Sequence, residues 1–501
     1  MKNIVISSFL VLCAGLLGSC NDFLDTPPKS TQTLDQYYQN EEEAQVAANG
    51  LYAWLGSRFS YAGYGEAPAF MLEYPTGYCY YTAGQQSLIN PDLEKLNYWD
   101  RNYVDYWWQS CYYGIEACNM FLNAVPQLPK SDAIDQMLGE AHFLRAYYYF
   151  NLVRIFGDVP LKLTPTSTPA DGMLSPSPVK EIYEQAILPD LESASLAPIS
   201  NLPSSGRVSM EAVNALYAQV YMTMAGSPLN QTDKYQLAAQ KAELVVNSPH
   251  LSLFQSDTNM NWFEKFRRKE FDNTGEYIFM ANYGESPAPR QHYSQFFVPA
   301  TAVKLTGFVG FGSMMPTQDF IDSFEKGDLR AEEKGFFFTS YNSWDNSGTL
   351  NFEPAVYKFF EPTLVGQGGY CGKSIPLIRY AEMLLTYAEA TARSGAITDK
   401  AIDAVNQIRS RAGLEPLSAA VTSNKEAFID AVMKERVHEL CFENVTFFDM
   451  IRTQKAYNTK TKSWVNLEGF VEPSGAVFKT AEHTYFPIPL REVQINPELR
   501  K

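Results

Sequence analysis

Residues 139–161 restrict the fold of this chain more than any other stretch of its sequence. They read GEAHFLRAYYYFNLVRIFGDVPL and are apolar or aromatic on nearly every side of a helix. A helix with this pattern is buried on all faces, whereas a surface helix keeps one polar side. Gly157 stands where a helix would end, and Pro160 prevents its continuation. The sequence therefore predicts a long central helix that serves packing.

Two arginines of this helix need partners for their charge. Arg154 and Asp158 are four residues apart, which is the spacing of an ion pair on one helix face. Arg145 stands among apolar neighbours, and burying its guanidinium requires a carboxylate from another part of the chain. We therefore expect Arg145 to join the central helix to a second element.

Predicted helices come in pairs of about forty residues, and their crossing points carry alanines such as Ala212, Ala215 and Ala238. This repetition is typical of a tetratricopeptide-like array. Single helices are predicted at 41–55, 100–125 and 425–440. The pairs are predicted at 132–156 with 178–195, 209–225 with 233–247, and 375–393 with 400–412.

The first nineteen residues are typical of a secretory signal, because Lys2 precedes an apolar run at 4–17 and two small residues follow. The sequence Leu-Gly-Ser-Cys that ends at Cys20 resembles the bacterial lipobox, whose cysteine becomes the acylated first residue of the mature protein. Beyond it, no apolar run approaches the roughly 18 to 20 residues that a spanning helix needs. We therefore expect a chain that is anchored by lipid at Cys20.

The composition divides the chain into five segments and predicts a mainly α protein, in which a helical-pair scaffold carries a large irregular lobe. The lobe lacks long helical periodicity and is rich in Phe, Tyr, Gly and Pro. The segments are a signal peptide (1–19), a lipidated N-terminus and acidic tether (20–40), an N-terminal helical region with an aromatic loop insertion (41–250), the irregular lobe (251–374) and a C-terminal helical region (375–501).

The net charge argues against two kinds of binding partner, and the number of cysteines limits disulfide pairing. The chain has 40 basic and 56 acidic residues, and this net charge of -16 argues against nucleic acid or an anionic membrane surface as a partner. Without Cys13 of the signal and the acylated Cys20, five cysteines remain, an odd number that cannot all pair. We expect most of them to be small buried apolar residues.

The motifs of common enzymes are absent or have the wrong spacing. Residues 366–374 read GQGGYCGKS, but neither Gly366 nor Gly368 has the four-residue spacing of a phosphate-binding loop. The five histidines have no two-ligand spacing, and there is no G-x-S-x-G sequence. We therefore expect a protein without catalytic activity, metal or cofactor.

Aromatic residues are the remaining signal. Residues 52–113 hold about 18 of them, roughly twice the frequency of the whole chain. Those on the predicted helix, Tyr106, Trp107, Trp108, Tyr112 and Tyr113, are expected in the core. Rings in loops suit sugar faces, because pyranose C–H groups pack on a ring while polar neighbours bond the hydroxyls. The predicted ligand contacts are Tyr78, Tyr80, Tyr81, Trp99, Arg101, Tyr341 and Trp344, with Trp99 the first candidate and Trp344 the next.

Together with four later segments, the GEAHFLRAYYYF stretch resembles a signature of the SusD/RagB family of nutrient-binding outer-membrane lipoproteins. The order and spacing match this family over essentially the whole mature chain. One departure occurs at Asn444, Val445 and Thr446, where the family usually has Gly-x-Arg, and this puts a buried arginine contact in doubt. The later segments read IPLIRYAEMLLTYAEA, AIDAVNQIRSRAGL, KERVHELCFENVTFFDMIR and FPIPLREVQINPEL.

The resemblance implies a SusD-like fold, a binding protein rather than an enzyme, and a place on the outer face of the outer membrane. There the protein would act as a hinged lid over a TonB-dependent SusC/RagA-type transporter. In the family, acidic residues just after the lipidated cysteine accompany export to the cell surface. The ligand would be a glycan, or an oligopeptide as for the RagB branch. Tyrosine and tryptophan in loops favour glycans, and the acidic balance mildly favours cationic peptides.

Overall fold

The computed structural model describes residues 38–56, 68–80, 95–97, 101–201, 206–284, 293–299, 312–362 and 371–500, and the single positions 291, 307 and 310. Within these ranges the chain is mainly helical, as predicted. None of the helices in these ranges is long and apolar enough to cross a membrane.

The predicted central helix is present with the predicted bounds, Asp132–Phe156, and is numbered α3 because Glu41–Gly50 (α1) and Arg101–Ala124 (α2) precede it in the chain. The Ser131 side chain caps its N-terminus by accepting a hydrogen bond from the N–H of Ile134. Gly157 ends it with a positive φ of 73°, a conformation that glycine adopts without strain. Because residues on all sides of α3 are buried, the prediction of a packing helix is confirmed.

Arg145 finds the carboxylate that its burial requires on the partner helix of the first pair. Its Nε and Nη2 atoms donate to the two oxygens of Asp190 at 2.8 and 2.7 Å. The guanidinium of Arg154 lies over the rings of Phe150 and Phe448, 3.8 and 3.9 Å from their centroids. The two arginines therefore join α3 to different parts of the fold.

Two long helices, Arg101–Ala124 (α2) and α3, pack against each other at a glycine. A Cβ atom added to Gly114 would overlap the ring of Tyr148. The hydroxyl at the end of the Tyr148 side chain donates to the carbonyl of Leu51 at 2.7 Å. Gly114 thus sets how closely α2 and α3 approach.

The later helices form the predicted array of pairs, with alanines at the crossings. Ala212, Ala215 and Ala238 are fully buried between neighbouring helices. Close approach at small residues lets the pairs stack, which is how such repeats bury a common core. The remaining helices longer than five residues in the described ranges are Glu41–Gly50 (α1), Leu188–Leu196 (α4), Met210–Ala225 (α5), Lys234–Val246 (α6), Trp262–Arg267 (α7), Gln318–Ser323 (α8), Tyr380–Ser394 (α9), Asp399–Arg411 (α10), Lys425–Glu439 (α11), Thr446–Thr453 (α12) and Leu490–Ile495 (α13).

One predicted helix begins differently. Residues 375–379 were expected in the helix at 375–393, but Ile375–Arg379 is a strand (β8) that pairs antiparallel with Tyr277–Ala281 (β4) from the irregular lobe. Both strands are largely buried, and a short apolar run of this kind has no periodicity that distinguishes strand from helix. Helix α9 follows directly at Tyr380.

Short antiparallel strands join the irregular lobe to the rest of the chain. Cys79–Tyr80 (β1) from the aromatic insertion pairs with Met315–Pro316 (β5) in the lobe. The longest pairing among the described residues of the lobe is the hairpin of Phe337–Asn342 (β6) and Thr349–Val356 (β7). The other strands are Val159–Pro160 (β2), which pairs with Pro176–Ser177 (β3), and Lys455–Asn458 (β9), which pairs with Ser463–Asn466 (β10).

The five cysteines that follow Cys20 are all buried, which agrees with their expected role as small apolar residues. They are Cys79, Cys111, Cys118, Cys371 and Cys441.

Candidate functional site

The β6–β7 hairpin carries two of the predicted ligand contacts, Tyr341 near the end of β6 and Trp344 in the turn. The turn is closed by the N–H of Ser343, which donates to the carbonyl of Gly348 at 2.8 Å. Asp345 accepts a hydrogen bond from the N–H of Ser347 at 2.9 Å. Hydrogen bonds from Ser347 and Ser343 lower the pKa of Asp345 to about 2, so its carboxylate is ionised and holds the turn. Trp344 is thereby presented on an ordered turn with 52% of its surface exposed.

Gly307 lies against the Trp344 ring. A Cβ atom built on Gly307 would stand 3.2 to 3.4 Å from the Cδ2, Cγ and Cε2 atoms of the indole, which is contact with the face of the ring. Gly307 has a positive φ of 74°, where any other residue is strained. The backbone at Gly307 therefore passes close to the indole, and half of the Trp344 surface is exposed.

The structure brings Tyr80 and Tyr341 to the same small hydrophobic cluster, although 261 positions separate them in the sequence. Tyr341 packs on Phe360 and Tyr357, with ring centroids 5.1 and 6.3 Å apart. Both Tyr80 and Tyr341 are only partly buried. The buried members of the cluster are Val298, Met315, Phe338, Ala355, Tyr357, Phe360 and Cys371.

Two cations lie against the rings of this cluster. The guanidinium of Arg267 is 3.8 Å from the centroid of Tyr357, and Lys334 Nζ is 5.3 Å from that of Tyr341. Arg267 is buried and ion-paired with Glu264, and its burial lowers its pKa. The sequence analysis missed these cations, because nothing in the local sequence places them beside an aromatic ring.

Tyr78 lies in the core, although it was predicted as a ligand contact. Its side chain is 1% exposed and stacks on Phe320, with centroids 4.7 Å apart. The hydroxyl donates to the carboxylate of Glu73 and accepts from the N–H of Phe442 at 3.2 Å. Since no face of the ring is open, Tyr78 packs the aromatic insertion against the C-terminal region and is not part of the surface site.

Four predicted residues cannot be placed. Cys20, Tyr81 and Trp99 lie outside the described residues, and so does the side chain of Arg101, whose backbone begins α2. For these four residues the roles given above stay predictions.

A buried network of charges lies under the C-terminal signature. The guanidinium of Arg379 donates to Glu276, Glu439 and Glu443 at 2.6 to 2.7 Å. Arg411 bridges the first two of these carboxylates from a second side. Burial opposes ionisation of Glu439, but Arg411 and Arg379 outweigh it and hold the pKa of this carboxyl well below its usual range. The network ties the start of β4 to β8, α10 and α11.

The network also bears on residues 444–446, where the sequence departs from the family pattern. Glu443 receives its cations from Arg379 and Lys358, so its carboxylate is satisfied without an arginine at position 446. Asn444 adopts the left-handed backbone, with a φ of 62°, that the usual glycine would favour. Thr446 begins α12 and is buried. In this chain the cations beside Glu443 come from the end of β8 and from Lys358.

Among the described residues, no three His, Cys, Asp or Glu side chains are grouped as a metal ion would require. The described atoms of the hairpin site are aromatic rings with polar and cationic neighbours. This arrangement is suited to stacking and hydrogen bonding with a ligand.

The fold defines a mainly helical protein whose paired helices carry an irregular lobe. A profile described as the SusD family matches residues 338–501, and one described as starch-binding and associating with the outer membrane matches residues 22–222. A SusD superfamily structure from Parabacteroides distasonis is 35% identical with a TM-score of 0.86, covering 92% of this chain and 98% of its own. This chain belongs to the SusD family.

Two further relatives extend the likeness. A SusD-like protein of Formosa agariphila is 25% identical over 100% of this chain and 98% of its own length. The structure described as surface glycan-binding protein A from Bacteroides uniformis is 21% identical with a TM-score of 0.73, covering 92% of this chain and 99% of its own. At that identity the second likeness concerns the fold. SusD-family proteins that bind glycans are not enzymes, in agreement with the expectation from the missing motifs.

Proposed function

We propose that this protein is a cell-surface lipoprotein that binds an oligosaccharide or polysaccharide fragment and serves as the lid of a SusC-type TonB-dependent transporter in the outer membrane. The observation that carries the glycan assignment is Trp344, a half-exposed indole on a hydrogen-bonded turn that begins shortly after the partly exposed Tyr341. Membership of a family whose N-terminal profile is described as starch-binding supports it.

The physical basis is the fit between sugars and rings. One face of a pyranose is lined by C–H groups, which pack on an indole, and its hydroxyls need donors and acceptors at the edge. Asn342, Asp345 and Asn346 supply such groups on the same turn as Trp344. The acidic net charge of -16 is the observation that favours the alternative, a lid for cationic oligopeptides.

Trp344→Ala tests the site by calorimetric titration against starch, xylan, laminarin and a casein digest, which together separate glycans from peptides. We expect the variant to bind the glycan that the wild type selects about tenfold more weakly, since a stacked ring contributes roughly 0.5 to 1.5 kcal/mol beyond its buried area. Its melting temperature should stay unchanged, because the ring is half exposed.

Two control variants make the result specific. Val471→Ala shortens an exposed apolar side chain in the C-terminal region and should affect neither binding nor melting. Trp262→Ala removes a buried indole and should destabilise the fold by roughly 3 to 5 kcal/mol. Normal glycan binding by Trp344→Ala would show that the glycan site lies elsewhere on the protein. If the wild type binds only the casein peptides, the proposal of a glycan-binding lid is wrong and the peptide-binding alternative takes its place.

A further inference from the structure

Helix α2 carries two exposed tyrosines where the sequence predicts core residues. Tyr106 is 37% and Tyr113 is 52% exposed, whereas Trp107 and Trp108 between them are buried. The two tyrosines are seven residues apart, which is two helical turns or about 10.5 Å, so they lie on one face of α2. Two large exposed rings on one helix face suggest a ligand-binding surface.

A second ring extends this surface at Tyr113. Trp54, on the short helix Ala53–Gly56, packs against it with ring centroids 4.9 Å apart and an angle of 45° between the planes. Trp54 is itself partly exposed. The two rings form a tilted pair at the surface, anchored on two helices of the scaffold.

Next to Tyr113 the surface opens into a cavity of about 420 Å³, called here the α2 groove. This volume is within the range of small-molecule sites. Trp108 and Tyr112 contribute to its lining from α2, the segment at 160–174 forms a second wall, and α13 with the residues after it forms a third. The hydroxyl of Tyr112 donates to the carbonyl of Pro160 at 2.9 Å, which joins two of these walls.

Polar side chains line the α2 groove with balanced charge. Lys162 pairs with Glu116 at 3.2 Å, and Glu116 also accepts from the N–H of Thr166 at 2.7 Å. The side chains of Gln109 and Arg491 line the groove and form no hydrogen bond with another side chain or backbone group among the described residues. Such groups are available to donate and accept in a complex.

This combination favours one kind of occupant. The centre of a protein interface is depleted in charged residues, yet Glu116, Lys162, Arg491 and Glu492 all line the α2 groove. A strongly charged ligand is also unsuited, because the two acidic and two basic side chains of the groove give it no net charge. Rings beside neutral and paired polar groups match a neutral sugar, whose C–H face stacks while its hydroxyls bond at the edges.

We propose that the α2 groove, together with the Trp54 and Tyr113 rings, is a second carbohydrate site that binds a neutral oligosaccharide. The glycan class rests on the proposed function, but none of the predicted ligand contacts lines the groove. A second site would let one protein hold a longer chain at two points, which raises its overall affinity through effective concentration.

The test uses the whole mature chain with 5-fluorotryptophan at its seven tryptophans, followed by ¹⁹F NMR. Single Trp→Phe variants assign the Trp54 and Trp344 signals, so the two sites are observed separately. Maltohexaose, xylohexaose and laminarihexaose are titrated as probes. We expect at least one of them to shift the Trp54 signal saturably. Tyr113→Ala should raise its half-saturation concentration about tenfold, the loss of one stacked ring.

Val471→Ala, which does not line the groove, should retain wild-type binding, and unchanged melting of Tyr113→Ala would show that the fold is intact. A Trp54 signal that none of the three probes shifts, or that responds equally in Tyr113→Ala, overturns the second site. If the Trp344 signal alone responds, the proposed function stands and the second site fails. If the Trp54 signal alone responds, the second site stands and the hairpin site fails.

Discussion

The Nε atom of Arg379 lies 2.6 Å from the carboxylate of Glu443, and both side chains are buried. This contact links the last residue of β8 to the loop that precedes α12. Glu276 and Glu439 share the same guanidinium. A single arginine therefore joins carboxylates from three parts of the chain.

Arg379→Ala should destabilise the protein by roughly 3 to 5 kcal/mol, because it leaves buried carboxylates without their cation. Urea unfolding followed by circular dichroism measures the change. Lys460→Ala is the matched control. Its ion pair with Asp319 is 3.8 Å long with 76% of the lysine side chain exposed, and removing it should change stability by no more than about 1 kcal/mol. Equal losses of stability in the two variants would mean that the buried network contributes no more to stability than an exposed ion pair.

Glu73 predicts a pH dependence of stability. Burial raises the pKa of its carboxyl from 4.5 to about 7, although Tyr78 and the N–H of Asn444 both donate to it. Between these values the folded chain holds a proton that the unfolded chain releases, so the free energy of unfolding falls as the pH rises. The loss is complete above about pH 7 and is on the order of 3 kcal/mol.

Glu73→Gln removes this titration. Relative to the wild type, the variant should gain stability on the order of 3 kcal/mol between about pH 5 and pH 8, measured by urea unfolding at both values. Glu332→Gln, at an exposed position, serves as the control and should follow the wild type. Parallel pH profiles for wild type and Glu73→Gln would contradict the assignment.

Gly114→Ala tests the approach of α2 and α3. A methyl group there would overlap the Tyr148 ring, which is fully packed and held by its bond to Leu51. We expect a loss of roughly 1 to 3 kcal/mol, seen as a lower melting temperature, as is usual for overpacking. Gly50→Ala places the same methyl group in open space at the end of α1 and should be neutral or slightly stabilising. A neutral Gly114→Ala would show that the helix contact can relax.

Cys20→Ala tests the anchor. If Cys20 carries the lipid, the variant should leave the membrane fraction, whereas the wild type stays in it and is cleaved by protease added to intact cells. Cys13→Ala, within the signal, is the control and should be anchored like the wild type. A Cys20→Ala protein that remains membrane-bound and accessible to protease would show that the anchor lies elsewhere.

The sequence alone determined the elements whose signals are local. The bounds of α3 follow from its apolar pattern, the Ser131 cap and Gly157, all within one short window. The alanines of the later helices likewise marked the crossings at Ala212 and Ala238. The need of Arg145 for a carboxylate was also evident from its apolar neighbours, because burying a charge alone is unfavourable.

Only the tertiary structure decided which residues meet and which rings face water. It supplied Asp190 for Arg145, and it paired β8 with β4 although that stretch was predicted to be helical. It also buried Tyr78, which lies in a loop-rich stretch, and exposed Tyr113, which lies in an aromatic helix. Burial depends on elements that are distant in the sequence and adjacent in space, so no local pattern encodes it.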